Sequence, residues 1–580
     1  MSVTTIMYRA ITVLALLAGL FVLAMSLLAW LRFQPSVPIF DTLLLLPLVD
    51  AVLTGGPLSV PLGDWFELFG NAHRILVSRL LAVADFAWFG GRNLLPLVLS
   101  WLCLGVIVTL FLAAVRRENQ AGAATLAAGV CLVLLFSPSQ MYTLVTAINA
   151  SWYVALTATA LAFTVLVRRP GALNNSQLLL VLVLAMIAAF SNFAGVIACL
   201  MLCAVAFIFQ VQKRWPLALL LALFVALYLQ GVQGTEQAMQ NSAHFQALLA
   251  QMPEEKLREL QAAAAPSLFE RLQQTASALV TQLSAGLVSR SAPLAYLLCA
   301  VVMLYLAWQG VKCLGSRLWR AGQQSDGRDF FLMMALFCLG ILLAISLGRG
   351  DRAADLVERY LVVSMLFWAS VACMLVVALP GADKPLQRLV TATLVLLLAV
   401  GLTWRADMRY LPKVAKMSEA AQRAQALMGL EVTGFSSDRR ILPLGKMDGL
   451  YDEHRNLLVR QGLTGPDYLD FDFDDFPADD ARACTGITAA IQPSQWSGVH
   501  TVELQFSRLP AYRLDRAYVY AGNEGIGRLY PVTRGPVSWV TVARGSQSWH
   551  GYVGPAATGD ETLRLVFVPL FGAPLSCSLG

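Results

Sequence analysis

Between the first and second long apolar runs of the chain, a more polar interval holds the residues best suited to chemistry. They are Asp41 at the end of PIFD, then Asp50, then DWFELFGNAHRILVSRLL with Asp64, Glu67, His73, Arg74 and Arg79. A carboxylate can take the proton of an attacking hydroxyl. A guanidinium offers a planar fork of donors to a phosphate, and an imidazolium adds a second positive charge. On a helix starting near Asp64, Glu67 and the His73–Arg74 pair fall roughly two turns apart, so one face would present several charges to a shared cleft. Activating a hydroxyl while neutralising a departing phosphate is what transfer of a sugar from a phosphate-linked lipid demands. Each residue also has a plainer use. Asp41 can cap an interfacial helix, Asp50 and Asp64 stand where helix ends or turns are expected, and interfacial arginines snorkel to lipid phosphates.

The elements that must hold these residues are set by the solvent. Of 580 residues, 57% are hydrophobic and 13% charged, against roughly 25% charged in a soluble domain. Crossing about 30 Å of hydrocarbon takes about 20 apolar residues, and about eleven such runs occur. They begin near Ile11, Leu94, Ala121, Ala150, Gln177, Val196, Pro216, Pro293, Phe330, Leu361 and Leu389. The first follows only Arg9 and lacks a small-residue cleavage site, so it reads as an anchor that stays. Basic residues at alternate loops (Arg116–Arg117, Arg168–Arg169, Lys213–Arg214, Lys312 with Arg317 and Arg320, Lys384 with Arg388) agree with Arg9 on the cytoplasmic side. The chain is therefore expected to be a multi-pass protein of a bacterial inner membrane with a cytoplasmic N-terminus. An odd span number places loops 32–93, 232–291 and 348–359 outside, with everything after Trp404. One span more or fewer would invert the tail. The net charge of +6 reports these loops and gives no single basic patch, so no nucleic-acid partner is expected.

The expected fold class is an all-α polytopic membrane domain over 1–410, a helical linker over 411–483 and a small all-β periplasmic domain over 484–580. Within loop 32–93, Phe40–Leu53 and Asp64–Ala84 read as helices lying in the membrane interface. In loop 232–291, MPEEKLRELQ and LFERLQQ read as an amphipathic hairpin over the membrane mouth. Lys413–Leu427 reads as a separate helix leading away from the membrane. From about Cys484, TVELQF, RAYVYAG, SWVTVAR, WHGYVG and LRLVFVP alternate like the strands of a β-sandwich. Eight of the ten cysteines, Cys103 through Cys373, lie in or at the ends of spans as small apolar residues. Cys484 and Cys577 bracket the β-rich part, and a disulfide between them is expected in an oxidising compartment. No internal repeat is visible, which counts against transporter architectures built on inverted repeats.

Other signals carry less. Glu453, His454 and Arg455 in YDEHRNLLVR lie in the polar tail and read as coincidence. Asp470, Asp472, Asp474 and Asp475 offer oxygens to a hard cation but lack the EF-hand glycine and glutamate. They read as a solvated acidic turn, and a divalent cation stays compatible with them. Trp496, Trp539 and Trp549 suit sugar stacking or, more commonly, an aromatic core. No Walker loop, dinucleotide fingerprint, HExxH or CxxC occurs, so no nucleotide or zinc chemistry, no metal site and no cofactor is called for.

The string around DWFELFGNAHRILVSRLL resembles a motif of large bacterial membrane glycosyltransferases of the GT-C architecture. In that group an early outer-loop aspartate precedes a Glu-His-Arg triplet. Asp41 matches the aspartate, and His73 and Arg74 match the last two triplet positions. Ala72 stands at the glutamate position, for which Glu67 is the nearest substitute. AFSNFAGVIACL, with Asn192 and Gly195, is similar to the group's short outer turn between middle spans. LGRGDRAADLVERYLVVSMLFW, with Arg349, Arg352, Arg359 and Tyr360, is similar to its late outer loop. The likeness covers about the first 400 residues loosely. Read from the residues alone, Arg359 enters a span where an arginine is costly unless it faces a cavity or a partner.

The resemblance implies an inverting transferase that uses a polyprenyl-phosphate-linked sugar. Asp41 would be the base, with His73, Arg74 and Arg359 around the donor phosphate and Asp50, Asp64, Glu67, Arg79, Arg349 and Tyr360 as secondary candidates. It also implies membrane lipids as surroundings and a periplasmic acceptor, either a protein such as a pilin, which some relatives modify with arabinofuranose, or a surface glycan. The rival readings are a polysaccharide polymerase or ligase, a lipid or glycan transporter, and an assembly protein whose β domain binds partners.

Overall fold

The computed structural model describes residues 2–33, 40–69, 73–118, 122–144, 146–168, 174–209, 211, 213–230, 268–284, 293–319, 327–349, 357–379, 384–430, 432, 455–461, 487–507, 514–521, 524–532, 548–554, 563–569 and 575–579. The apolar runs are helical. They form α1 (Val3–Phe33), α5 (Leu94–Arg116), α6 (Ala123–Leu135), α8 (Ala150–Arg168), α9 (Asn175–Ala189), α10 (Ala194–Ile208), α11 (Arg214–Leu229), α13 (Pro293–Trp319), α14 (Gly327–Arg349), α15 (Leu361–Val377) and α16 (Pro385–Gly429). Smaller helices lie between them: α2 (Leu46–Gly55), α3 (Leu62–Phe66), α4 (Leu76–Phe89), α7 (Met141–Leu144), α12 (Leu268–Leu283) and α17 (Arg455–Arg460). Local chemistry sets the boundaries. At the start of α9, the Asn174 side chain accepts from Gln177 N while the Gln177 side chain accepts from Asn174 N, a reciprocal capping box.

Among the described residues, seven helical stretches are long and apolar enough to cross a membrane. The apolar helices α9, α10, α11 and α15 are shorter. The bundle wears apolar residues on its outside. In α13, Leu297, Val301, Leu304, Trp308 and Val311 are all exposed at spacings that recur on one helix face, as suits hydrocarbon surroundings. The central helix is α15, buried along nearly its whole length. Helices α1 and α6 meet through small residues. A Cβ on Gly129 would lie 2.3 Å from the Ala15 carbonyl, and one on Gly19 would lie 2.8 Å from the Gly129 oxygen. Only glycine allows that approach.

Two departures from regular helix matter for function. Helix α6 stops at Phe136, and Pro138 opens a 3₁₀ turn (Pro138–Gln140) that leads through α7 to a second turn, Ala147–Asn149. A proline in a helix interior has no N–H to give and crowds the preceding turn, which favours a break there. The irregular stretch is buried, so its polar groups need partners. The Asp407 carboxylate on α16 accepts from Ser137 Oγ (2.6 Å) and Ser139 N (2.7 Å), and Gln140 Nε2 donates to the carbonyls of Leu134 and Leu135. Helix α16 itself runs 45 residues without a break, roughly 67 Å at 1.5 Å per residue. The separate tail helix expected from Lys413 is therefore the continuation of the last apolar run. Pro412 lies inside it and leaves the Met408 carbonyl without its helical donor. Met408 is on the exposed side, where that group can find another partner.

The tail carries one seven-stranded antiparallel sheet, a half-barrel in shape. Its strands are β3 (Ile487–Pro493), β4 (His500–Phe506), β5 (Leu514–Ala521), β6 (Glu524–Val532), β7 (Ser548–Val553), β8 (Leu563–Pro569) and β9 (Leu575–Leu579), in the order β3-β4-β7-β6-β5-β8-β9. The expected sandwich is thus a single curled sheet among the described residues; alternation fixes which face is buried but not how many sheets share it. Val502, Leu504, Phe506, Val519, Leu529, Trp549 and Leu565 line one face. The other face meets the end of α16, where Arg423 Nε donates to Tyr530 Oη (3.1 Å) and Arg528 approaches Gln425. Burial pulls the Arg528 guanidinium down to about 10. Trp549 is core, and Trp496 packs edge-on against Tyr552. Trp539, SWVTVAR and the acidic run lie outside the described residues. Cys577 is disulfide-bonded and Cys103 through Cys373 are free thiols; Cys484 lies outside the described residues.

The α1–α6 contact yields a direct expectation. Gly129→Val should lower the stability of the detergent-purified protein by about 1–3 kcal/mol, read as an earlier thermal unfolding midpoint. Gly105→Ala on α5, where a Cβ meets nothing within 4 Å, should keep the midpoint or raise it slightly, since alanine loses less backbone entropy in a helix.

Candidate functional site

The first loop enters the bundle as a 3₁₀ turn, Phe40–Leu45, which passes directly into α2. Leu43, Leu45, Leu46 and Val49 are buried and seat it. The backbone of Asp41 belongs to this turn; its side chain lies outside the described residues. Asp50 on α2 is exposed enough to pair with Arg460.

The single helix expected from Asp64 onward is instead α3, a two-residue hairpin of β1 (Leu68–Phe69) with β2 (His73–Arg74), and α4. Two arginines explain why this broken path is stable. Arg79 is buried and donates from Nη1 to the carbonyls of Trp65 (2.9 Å) and Glu67 (2.8 Å). Arg74 donates from Nη1 to the Phe66 carbonyl (2.6 Å), from Nε to the Tyr228 carbonyl (3.0 Å) and from Nη2 to the Gln230 carbonyl. Together they satisfy three consecutive carbonyls at the end of α3, which a helix terminus leaves without donors. Arg74 also ties the loop to α11, and its own N–H donates to Tyr228 Oη (3.1 Å). Desolvation lowers the Arg79 pKa, while Glu67 and Asp64 raise it in part. These side chains brace the loop, so the phosphate-facing role expected for Arg74 has to share a guanidinium already held by three carbonyls. Asp64 and Glu67 are exposed, and Ala72 lies outside the described residues.

His73 is half-buried and joins the loop to the bundle. Its Nδ1 accepts from Phe193 N (3.4 Å). Val77 N donates to the Phe190 carbonyl, and the Phe66 ring meets Phe190 edge-on. The turn between α9 and α10 is tight for a reason: a Cβ on Gly195 would lie 2.2 Å from the Ala188 carbonyl. Asn192 Oδ1 caps α10 by accepting from Ala194 N (2.8 Å). The late passage forms a 3₁₀ turn, Val357–Tyr360, leading into α15. Arg359 is half-buried and engaged by neighbours, and Tyr360 is buried with its ring against Trp152 at 5.6 Å. Arg349 ends α14 with its side chain outside the described residues, as is all of Arg352.

The first loop and the late passage meet around residues 136–149. The Ala147–Asn149 turn neighbours the Asp41-bearing turn, α4 and α7, and α7 in turn neighbours the Arg359-bearing turn. Ser78 Oγ donates to the Ile148 carbonyl (2.9 Å). One rim of the bundle therefore carries the backbone of Asp41 and the Arg359 turn, with His73 on the same first loop, against the α9–α10 turn. The end of α12 reaches the same neighbourhood. Its Gln282 and Leu283 carbonyls accept from Ser364 Oγ (2.7 Å) and Trp368 Nε1 (2.5 Å), so LFERLQQ starts a helix that enters the bundle rather than floating over it. MPEEKLRELQ lies outside the described residues.

Sequence reasoning passed over Tyr228, Asp85, Asp407 and the 136–149 stretch. Asp85, buried on α4, accepts from Asn93 N (2.7 Å) and Leu95 N (2.8 Å) and so caps α5. Burial pushes its carboxyl up, and the amides of Leu95, Asn93 and Leu94 pull it back in part. The signal was the string GGRN, since Gly90, Gly91 and Asn93 all have positive φ and mark a tight reversal. Among the described residues no three His, Cys, Asp or Glu side chains gather as a metal site.

Compared with models of protein families, with curated proteins and with solved structures, the chain matches none.

The bracing geometry is testable without an assay of function. Arg79→Gln should destabilise the purified protein by about 2–3 kcal/mol, because charged hydrogen bonds to two carbonyls are lost. Asp64→Asn and Glu67→Gln, at exposed positions, should stay within about 0.5 kcal/mol of wild type. Thermal unfolding of the three variants side by side decides it.

Proposed function

We propose that the protein is an inverting glycosyltransferase that moves a sugar from a polyprenyl-phosphate donor to a hydroxyl of a periplasmic protein or glycan. The observation that carries this reading is that the first loop, which holds Asp41 and His73, and the Arg359 turn, far along the chain, are joined at one rim through residues 136–149. The Asp41 carboxylate takes the proton of the acceptor hydroxyl. The freed oxygen attacks the anomeric carbon, the bond from that carbon to the phosphate oxygen breaks, and polyprenyl phosphate leaves with the electron pair. Arg359 neutralises the charge that grows on the leaving phosphate, and His73, whose Nδ1 accepts from Phe193 N, offers it a hydrogen bond from Nε2, interactions that are stronger in the transition state than before it. Arg74 serves mainly to hold the loop in place.

The topology that goes with this reading is eleven spans in a bacterial inner membrane, with the rim and tail on the periplasmic side. Contact of the first loop with the tail supports an odd span count, because Arg460 of the tail pairs with Asp50 of the loop. Burial argues against a transporter. Among the described residues, the buried Asp, Glu, Lys and Arg side chains are Arg79, Asp85, Asp407 and Arg528. Arg79 and Asp85 stand at the rim, Arg528 in the sheet, and Asp407 on α16 is taken up by the Ser137–Ser139 turn, whereas transport pathways place ionisable groups along the spans.

Mass spectrometry of surface glycans and pilins tests the proposal in cells lacking the gene and complemented at matched membrane levels. Deletion should remove a sugar that wild type restores. Asp41→Asn should cut transfer roughly 10²- to 10⁴-fold, the contribution of a general base. Arg359→Ala should cut it roughly 10²-fold or more. Full restoration by Asp41→Asn would refute the mechanism, and an unchanged glycan profile on deletion would refute the transferase itself.

A further inference from the structure

The tail string YDEHRNLLVR, read as coincidence in the sequence, has a place in the fold. Its second half is α17, where Leu457 and Leu458 are 1% and 0% exposed and join the apolar core of the bundle. Arg460 Nη2 lies 2.5 Å from Asp50 Oδ1 on α2. One residue on, the Gln461 carbonyl approaches the end of α4 so closely that a Cβ on Gly90 would lie 3.2 Å from it. Gly90 has φ +62° and closes α4, so the backbone there already requires glycine. The tail therefore touches both arms of the first loop, α2 through Asp50 and α4 through Gly90. Because α2 continues from the Phe40–Leu45 turn without a break, whatever fixes α2 also fixes the backbone of Asp41.

We propose that α17 is a clamp on the first loop, and that Arg460, Leu457 and Leu458 are positioning residues for the Asp41 turn. The proposal rests on the transferase reading for its catalytic meaning. The two leucines supply the grip, since fully buried aliphatic side chains are held by the loss of apolar surface from water. The ion pair is half-exposed and sets register more than stability. The segment after the last span thus completes the catalytic unit, although it is far from Asp41 in sequence.

The test uses the full-length protein in membranes and two readouts. The first needs no activity. Leu43→Cys places a thiol in the Asp41 turn, where Leu43 is 1% exposed, and its labelling by a membrane-impermeant maleimide is followed by mass spectrometry. Adding Leu458→Ser with Arg460→Asp should speed labelling at least about tenfold, whereas the charge swap Asp50→Arg with Arg460→Asp should keep it slow. The second readout is sugar transfer. Arg460→Asp should lower kcat about threefold to fivefold, as the loss of one such ion pair allows, with donor KM unchanged and the swap restoring the rate. Locking the contact with a reducible, disulfide-containing bis-maleimide across Asp50→Cys and Arg460→Cys should preserve transfer.

Unchanged labelling of Cys at 43 after the clamp is broken would overturn the proposal and leave the transferase reading intact. A locked protein that is inactive until reduced would also overturn it, since α17 would then have to leave for catalysis. No transfer by wild type would remove the catalytic role together with the transferase reading, while labelling still decides the grip.

Discussion

Backbone that leaves helical geometry inside an apolar bundle must still pair its N–H and C=O groups, and this requirement organises the rim. Water is not freely available there, and an unpaired buried amide or carbonyl costs on the order of 1–3 kcal/mol. The chain answers with charged and amide side chains. Asp407 holds the Ser137–Ser139 turn, Gln140 takes up two carbonyls at the end of α6, Arg79 and Arg74 take up three at the end of α3, and Asp85 receives the first amides of α5. The broken helices exist because these partners do.

The same requirement sets what each polar side chain of the rim is seen to hold. A guanidinium whose donors are taken by carbonyls has less to offer a phosphate, so Arg74 and Arg79 are better understood through the loop they hold than through a ligand. His73 differs, because its Nδ1 accepts a main-chain N–H, which fixes the ring's orientation and puts its proton on Nε2. Arg359 differs again, standing on a 3₁₀ turn at the mouth of the central helix. A site on such a scaffold is rigid where the backbone is braced. Rigid placement of this kind is what any site that must direct several groups at one bond requires.

Much of the helical architecture was legible because it rests on long apolar runs, a signal that survives without tertiary knowledge. Apart from the first, each expected run begins within about a turn of a helix start, as Leu94, Ala150, Pro293 and Leu361 show directly. Lengths were less legible: α9, α10, α11 and α15 are short for spans, and neighbours in the fold decide how such helices sit. The site was legible by residue type but not by role. Nothing local to DWFELFGNAHRILVSRLL says that Arg79 returns to the carbonyls of residues 65 and 67, or that Arg74 reaches residues 228 and 230, because both depend on a hairpin that helical periodicity hides. Asp407 was invisible for the same reason, since its partners lie some 270 positions earlier.

The tail carries this logic furthest. Helix α16 links three levels of the molecule: its first half packs among the apolar helices, Asp407 grips the irregular stretch at the rim, and Arg423 and Gln425 meet the sheet. The chain then returns, and α17 lays two leucines into the bundle core beside the loop that bears Asp41. A tail joined only by a flexible linker could bind a partner, but it would be a poor means of fixing a turn. A helix roughly 67 Å long, held at its middle by a buried carboxylate and followed by a segment that docks back, makes the tail part of the frame. The first loop is then bounded on one side by the apolar helices and on the other by residues more than 400 positions later, so the precision of the rim is a property of the whole chain.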